Sequence, residues 1–232
     1  EMNSKIENAG YELILLEKYK DKKEFLKAIA DVDALIVRSD KVDKEVLDAA
    51  KNLNIVVRAG AGFDNIDLRA ATSHKIIVEN TPGQNANAVA ELVLGLLVFT
   101  VRNFYNGKFG TELMGKKLGL LVPALPQTIK SINYDLVNKM KKGGILINTS
   151  RKEVIDETSL IKLLSERSDL KYITDIVADN YKEFKKFEGR YFSTPKKMGA
   201  QTSEANTNAG IAAANQIIAF FKDGITKFKV NK

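Results

Sequence analysis

Two short stretches hold residues whose types and spacing could do chemistry. In VRAGAGFDNID, residues 57–67, the small residues Ala59, Gly60, Ala61 and Gly62 directly follow a β-branched run. Backbone N–H groups at the carboxyl end of a parallel strand can cradle an anion, although a tight turn with no ligand uses the same residue types. In GILINTSRKEVIDE, residues 144–157, a second apolar run delivers Thr149, Ser150 and Arg151 at its end. An arginine so placed can clamp a carboxylate with two parallel hydrogen bonds, or it can cap the helix that follows.

The elements that must position these residues alternate in type. Apolar, β-branched runs at 11–16, 34–37, 55–58, 76–79, 144–148 and 172–176 read as strands. Helical patterns lie between them at 22–29, 44–50, 67–72, 131–139 and 157–164. Such alternation predicts an α/β fold with parallel sheets covered by helices. Residues 87–101, NAVAELVLGLLVFTV, are apolar on nearly every face and should be buried all round, between two domains or two subunits. A second long helix, 203–222, ends at Asp223-Gly224. Residues 2–8 read as the end of a helix leading into the 11–16 strand, so a further strand is expected upstream.

Composition narrows the classes. The chain has 232 residues, 44% hydrophobic and 28% charged, which suits a globular protein. No apolar run is long enough to span a membrane, and the polar N-terminal residues do not read as a signal peptide. There is no cysteine and one histidine, His74, which excludes disulfides and thiolate zinc sites; no metal site is expected. The net charge of +7 is spread among acidic residues, which reads as solvated faces and not as a nucleic-acid footprint. A cytoplasmic protein with no nucleic-acid and no membrane partner is the expectation.

Taken together, IVRSD, VRAGAGFDNIDLRAATSHKIIVENTPGQNANAVAELVLGLL, GKKLGLL, VPALPQTIKSIN, GGILINTSRKEVIDETSL, TDIV and TPKKMGAQTSEA occur in this order. That succession resembles the D-2-hydroxyacid dehydrogenase family over nearly the whole chain. The resemblance implies two Rossmann/flavodoxin-like domains with parallel sheets. A substrate-binding domain (1–80 and 206–232) would carry an inserted dinucleotide-binding domain (81–205), in a homodimer that uses NAD. In the family, the strand matching 118–121 runs into a glycine-rich phosphate loop and further strands and helices before the stretch matching VPALP. About two βαβ-type units of roughly 30 residues are therefore missing between Leu121 and Val122. A true deletion would leave the flanks of a parallel sheet uncovered, so residues are expected there in the complete protein. The residue that separates NAD from NADP belongs to that segment, so NAD rests on the resemblance alone. The chain ends directly after the returning helix, which predicts a short form without a regulatory domain.

The resemblance also assigns roles. Arg151 matches the arginine that holds the substrate carboxylate and C2 oxygen. Arg38, Ser39 and Arg58 match positions facing the substrate, the arginines suiting a phosphate on the 2-hydroxy acid. Ala59 and Gly60 would offer N–H groups to the carboxylate, and Asn85 lies at the domain cleft. Thr149, Ser150 and Asp175 would surround the nicotinamide, with Asp175 accepting from its amide. Pro123, Gly199 and Ala200 would line the cofactor.

Most of the family has a catalytic histidine before Gly-Ala, where this chain has TPKKMGAQT. His74 lies far away in sequence and reads as a surface residue. Lys196 follows Pro195 as the histidine would, while Lys197 has the better spacing to Gly199; Lys196 is preferred as acid/base. Its pKa must then be lowered from about 10.4 by desolvation or a neighbouring cation, for which Arg151 is available. The family's partner glutamate falls on Asn180, next to Asp179, which could assist. The expected reaction is NAD-dependent oxidation of a phosphorylated 2-hydroxy acid. The alternatives are a relative acting on glyoxylate, hydroxypyruvate or D-lactate, and a non-catalytic binding protein of the same fold.

Overall fold

A computed structural model describes residues 1–115 and 128–231. The chain divides into two compact units, 1–87 with 202–232, and 88–201. Each is built around a three-stranded parallel sheet.

In the first unit β1 (Ala34–Val37), β2 (Ile55–Arg58) and β3 (Ile77–Asn80) lie in that order, with Val37 opposite Arg58 and Arg58 opposite Asn80. Side chains alternate across a strand, so β2 feeds two cores. Val56 joins Phe25, Val46, Leu47 and Val78 on one face, while Ile55 and Val57 meet Ala209, Ala213 and Ile217 on the other. Helices α1 (Met2–Asn8) and α2 (Lys22–Ala28) precede the sheet, α3 (Lys44–Ala49) and α4 (Leu68–Ser73) connect its strands, and the 21-residue α9 (Ser203–Asp223) returns to cover β2. Asp21, Asp43 and Asp67 cap α2, α3 and α4, and Thr202 caps α9, each side chain accepting from a first-turn N–H. α9 stops at Gly224 in the left-handed conformation (φ 65°), where glycine carries no Cβ penalty.

The expected 11–16 strand does not form. β1 is the edge of its sheet, and the 11–17 segment meets no ladder partner there, leaving Ile14 and Leu15 more than half exposed. A groove of about 390 Å³ is lined by this segment and by β1. β-propensity alone does not make a strand; pairing does.

In the second unit β4 (Ile145–Asn148), β5 (Lys171–Thr174) and β6 (Tyr191–Ser193) pair in order, Asn148 opposite Thr174 and Thr174 opposite Ser193. Helices α6 (Tyr134–Asn138), α7 (Glu157–Glu166) and α8 (Tyr181–Phe184) pack around Leu146, Leu160, Leu163, Leu164, Tyr172 and Phe184. β6 and α8 had no clear sequence signal. The apolar helix α5 (Ala86–Val101) is not buried all round: Leu96, Thr100 and Val101 are covered, whereas Leu94 is 55% and Val98 41% exposed. Its apolar outer face lies open within the single chain. No helix among the described residues is long and apolar enough to cross a membrane.

Candidate active site

In the first unit the relevant residues stand at one end of the sheet. Arg58 closes β2, and Arg38 follows β1 directly beside it. Both arginines are half-buried, and Ser39 is exposed. The Arg58 guanidinium folds over Gly60: a Cβ on Gly60 would fall 1.4 Å from Nη1, and Gly60 has φ 151°, which side chains rarely adopt. Gly60 is therefore glycine both for its backbone and for the arginine above it.

The N–H groups of Ala59 and Gly60 both have partners within the first unit. The Ala59 N–H donates to the Val37 carbonyl at 2.8 Å, extending the β1–β2 ladder, and the Gly60 N–H donates to the Arg58 carbonyl at 2.8 Å. Those donors are spent on holding the turn. Asn85 is half-buried between β3 and α5. His74 sits at the end of α4, with Nε2 3.0 Å from the Asp48 carboxylate and Nδ1 2.8 Å from the Ala70 carbonyl.

The second unit brings Arg151, Ser150 and Lys197 together. Arg151 Nη1 donates to the Ser150 carbonyl at 3.1 Å, and Lys197 Nζ donates to the same oxygen at 3.2 Å. Two cations from separate loops are thus neighbours across one oxygen. Lys196 is exposed and makes no hydrogen bond or ion pair among the described residues. Asp179 does not serve either lysine: its carboxylate pairs with Lys152 at 2.6 Å, while Glu157 accepts from the N–H groups of Asp179 and Asn180.

Asp175, just past β5, is fully buried. Its Oδ1 accepts from Thr194 Oγ1 at 2.8 Å and from the Met198 N–H at 2.7 Å, and its Oδ2 accepts from the Gly199 N–H at 2.7 Å. A Cβ on Gly199 would stand 3.1 Å from that oxygen and 3.2 Å from Val89 Cγ2, a tight fit that would push one of them back by a few tenths of an ångström. Thr149, Ser150 and Ala200 are half-buried nearby in sequence. Pro123 lies outside the described residues.

Sequence reasoning passed over Asn148. It is fully buried at the end of β4, with Oδ1 accepting from the Ser150 N–H at 3.0 Å and Nδ2 donating to the Arg151 carbonyl at 2.9 Å. An amide closing an otherwise apolar run was the available signal.

The model of the D-isomer-specific 2-hydroxyacid dehydrogenase catalytic domain matches residues 1–231, and the chain belongs to that family. Among curated relatives, the hydroxypyruvate reductase of Thermotoga maritima is 30% identical over 278 positions, covering 89% of this chain and 90% of its own. The D-3-phosphoglycerate dehydrogenase of Methanocaldococcus jannaschii is 28% identical over 282 positions, covering 90% of this chain and 54% of its own. The chain thus spans about half the length of that curated phosphoglycerate dehydrogenase. Both alignments run over more positions than the chain's 232 residues, so the relatives carry residues without a counterpart here. Among solved structures, the NAD+-bound 3-phosphoglycerate dehydrogenase of Entamoeba histolytica superposes with a TM-score of 0.88 at 38% identity, covering 100% of this chain and 93% of that one.

Proposed function

We propose that this chain oxidises 3-phosphoglycerate at C2 to 3-phosphohydroxypyruvate, with NAD as the hydride acceptor. This is the first step of the phosphorylated route to serine, carried out by a cytoplasmic homodimer. The observation that carries the reading is the pairing of Arg151 and Lys197 on the Ser150 carbonyl. Arg151 binds the substrate carboxylate and C2 oxygen, and Lys197 in its neutral form accepts the hydroxyl proton. Lys197 takes the role for which sequence alone favoured Lys196. Arg38 and Arg58 serve the phosphate.

The residues present fit the nicotinamide end of NAD. Thr149 and Ser150 stand beside Arg151, and Asp175, fully buried, acts on that end only through the Met198 and Gly199 N–H groups it holds. The chain has no G-x-G-x-x-G run. The pyrophosphate end therefore belongs to residues in the segment missing at Leu121–Val122, for which an intact mass above that of 232 residues is the direct check. The open apolar face of α5, with Leu94 and Val98, supports the homodimer.

Turnover with 3-phosphoglycerate should fall by roughly 10²–10⁴ in Lys197→Ala and survive in Lys196→Ala. Full activity of Lys197→Ala would remove the assignment. A second reading, reduction of unphosphorylated hydroxypyruvate, is favoured by the Thermotoga maritima relative. Arg58→Ala separates the two, because only a phosphorylated substrate should lose affinity.

A further inference from the structure

Two loops of the second unit carry the cations, and each is tied down by one buried polar side chain. Asn148 and Asp175 end neighbouring strands: the Asp175 N–H donates to the Asn148 carbonyl at 2.9 Å. Asn148 grips the Ser150 N–H and the Arg151 carbonyl, and so fixes the backbone on which Arg151 stands. Asp175 grips Thr194 Oγ1 and the Met198 and Gly199 N–H groups, which bracket Lys196 and Lys197 on both sides. The turn that follows the lysines is closed by the Gln201 N–H donating to the Met198 carbonyl. Neither residue reaches the surface.

We infer that Asn148 and Asp175 act as paired positioning residues that set Arg151 and Lys197 against the one Ser150 carbonyl. The inference rests on the proposed roles of Arg151 and Lys197. The strand ends are cross-linked further: the single Thr174 hydroxyl proton is shared between the Asn148 carbonyl at 3.1 Å and the Ile176 carbonyl at 2.9 Å, and its oxygen accepts from the Ile176 N–H at 3.1 Å. The separation of the two cations is thus set by the β4–β5 register and two buried side chains, and not by the exposed loops themselves.

The isosteric changes split the pair. In Asn148→Asp a carboxylate oxygen replaces the donor to the Arg151 carbonyl, so Arg151 loosens and KM for the hydroxy acid should rise about tenfold, with a smaller change in kcat. In Asp175→Asn an amide NH₂ faces a backbone N–H, so the lysine turn shifts and kcat should fall roughly 10²-fold, the cost of an ångström-scale misplacement, with KM nearly kept. The decisive measurement is a double-mutant cycle. In a Lys197→Ala background, Asp175→Asn should cost little further kcat, because the group it positions is gone.

An equal drop in both backgrounds would mean that Asp175 only supports the fold, and would overturn the inference. Full turnover of Lys197→Ala alone would instead sink the functional reading. A readout independent of activity is NMR of reductively ¹³C-methylated lysines: the Lys197 signal should move toward that of a free surface lysine in Asp175→Asn and stay put in Lys196→Ala. An unmoved Lys197 signal counts against the inference. If Asp175→Asn does not fold, Thr194→Val, which removes one of the three donors, should give the same shift and the same cycle at smaller amplitude.

Discussion

Each unit buries one carboxylate near the end of a strand, and the two are held differently. Glu79, in β3 of the first unit, is 1% exposed and accepts one hydrogen bond, from the Phe228 N–H at 2.9 Å. Desolvation pushes its carboxyl above its ordinary range, and that single bond only partly opposes the shift. Asp175 in the second unit is equally buried yet accepts from three donors. The difference lies in donor count, not in depth. Glu79 is tolerated beside the C-terminal tail, whereas Asp175 organises the loop of the candidate acid/base. A buried carboxylate that gathers backbone donors is structural machinery for its loop; one that does not is a cost borne by the fold.

The contrast can be broken most strongly at Asp175. Replacement by alanine strands two buried backbone N–H groups and a hydroxyl, and should cost about 3 kcal/mol or more, read from denaturant unfolding. A loss below ~1 kcal/mol would mean that water replaces the carboxylate and that the contrast fails. The first unit has its own polar clamp in Asn231. Its Oδ1 accepts from the Val78 N–H at 2.8 Å, and its Nδ2 donates to the Ile76 carbonyl at 2.8 Å. Asn231→Ala should cost about 2 kcal/mol and release the tail from the β3 edge, seen as faster amide exchange at Val78 and Val230.

Smaller effects sharpen the same comparison. Gly60→Ala should destabilise by about 1 kcal/mol through its positive φ. It should also displace the Arg58 guanidinium, raising KM for a phosphorylated substrate more than for an unphosphorylated one. Glu79→Gln should be the mildest and of opposite sign. Because the folded state holds the Glu79 proton to higher pH than the unfolded chain, stability is greatest below the ordinary value of 4.5 and declines as pH rises from there through the raised folded value. Glutamine keeps an acceptor for Phe228 and removes that decline, so Tm at neutral pH should rise slightly and its fall between acid and neutral pH should flatten.

Much of the architecture was legible locally. Runs such as ALIV, IVVR and ILIN became parallel strands, because periodicity acts over a few residues. Arg151 was legible as a strand-end arginine. The strand expected at 11–16 was not formed, since a strand exists only against a partner and residues 11–17 do not pair with the open edge of β1. The choice between Lys196 and Lys197 was illegible for a related reason. Adjacent residues in a turn point in different directions, and only the folded loop shows which side chain reaches Ser150.

The sequence by itself determined the residue inventory, the alternation of strand and helix, and the absence of a histidine where a lysine pair stands. Those properties are local or compositional. Tertiary structure alone decided that the Ala59 N–H bonds the end of β1 while the Gly60 N–H bonds its own turn, that Asp179 pairs with Lys152, and that Asn148 and Asp175 hold the two cationic loops. The Ala59–Val37, Asp179–Lys152, Asp175–Met198 and Asp175–Gly199 partners lie more than 20 residues apart and leave no periodic trace in the chain, while the bonds of Gly60 and Asn148 are local turns whose direction the fold sets.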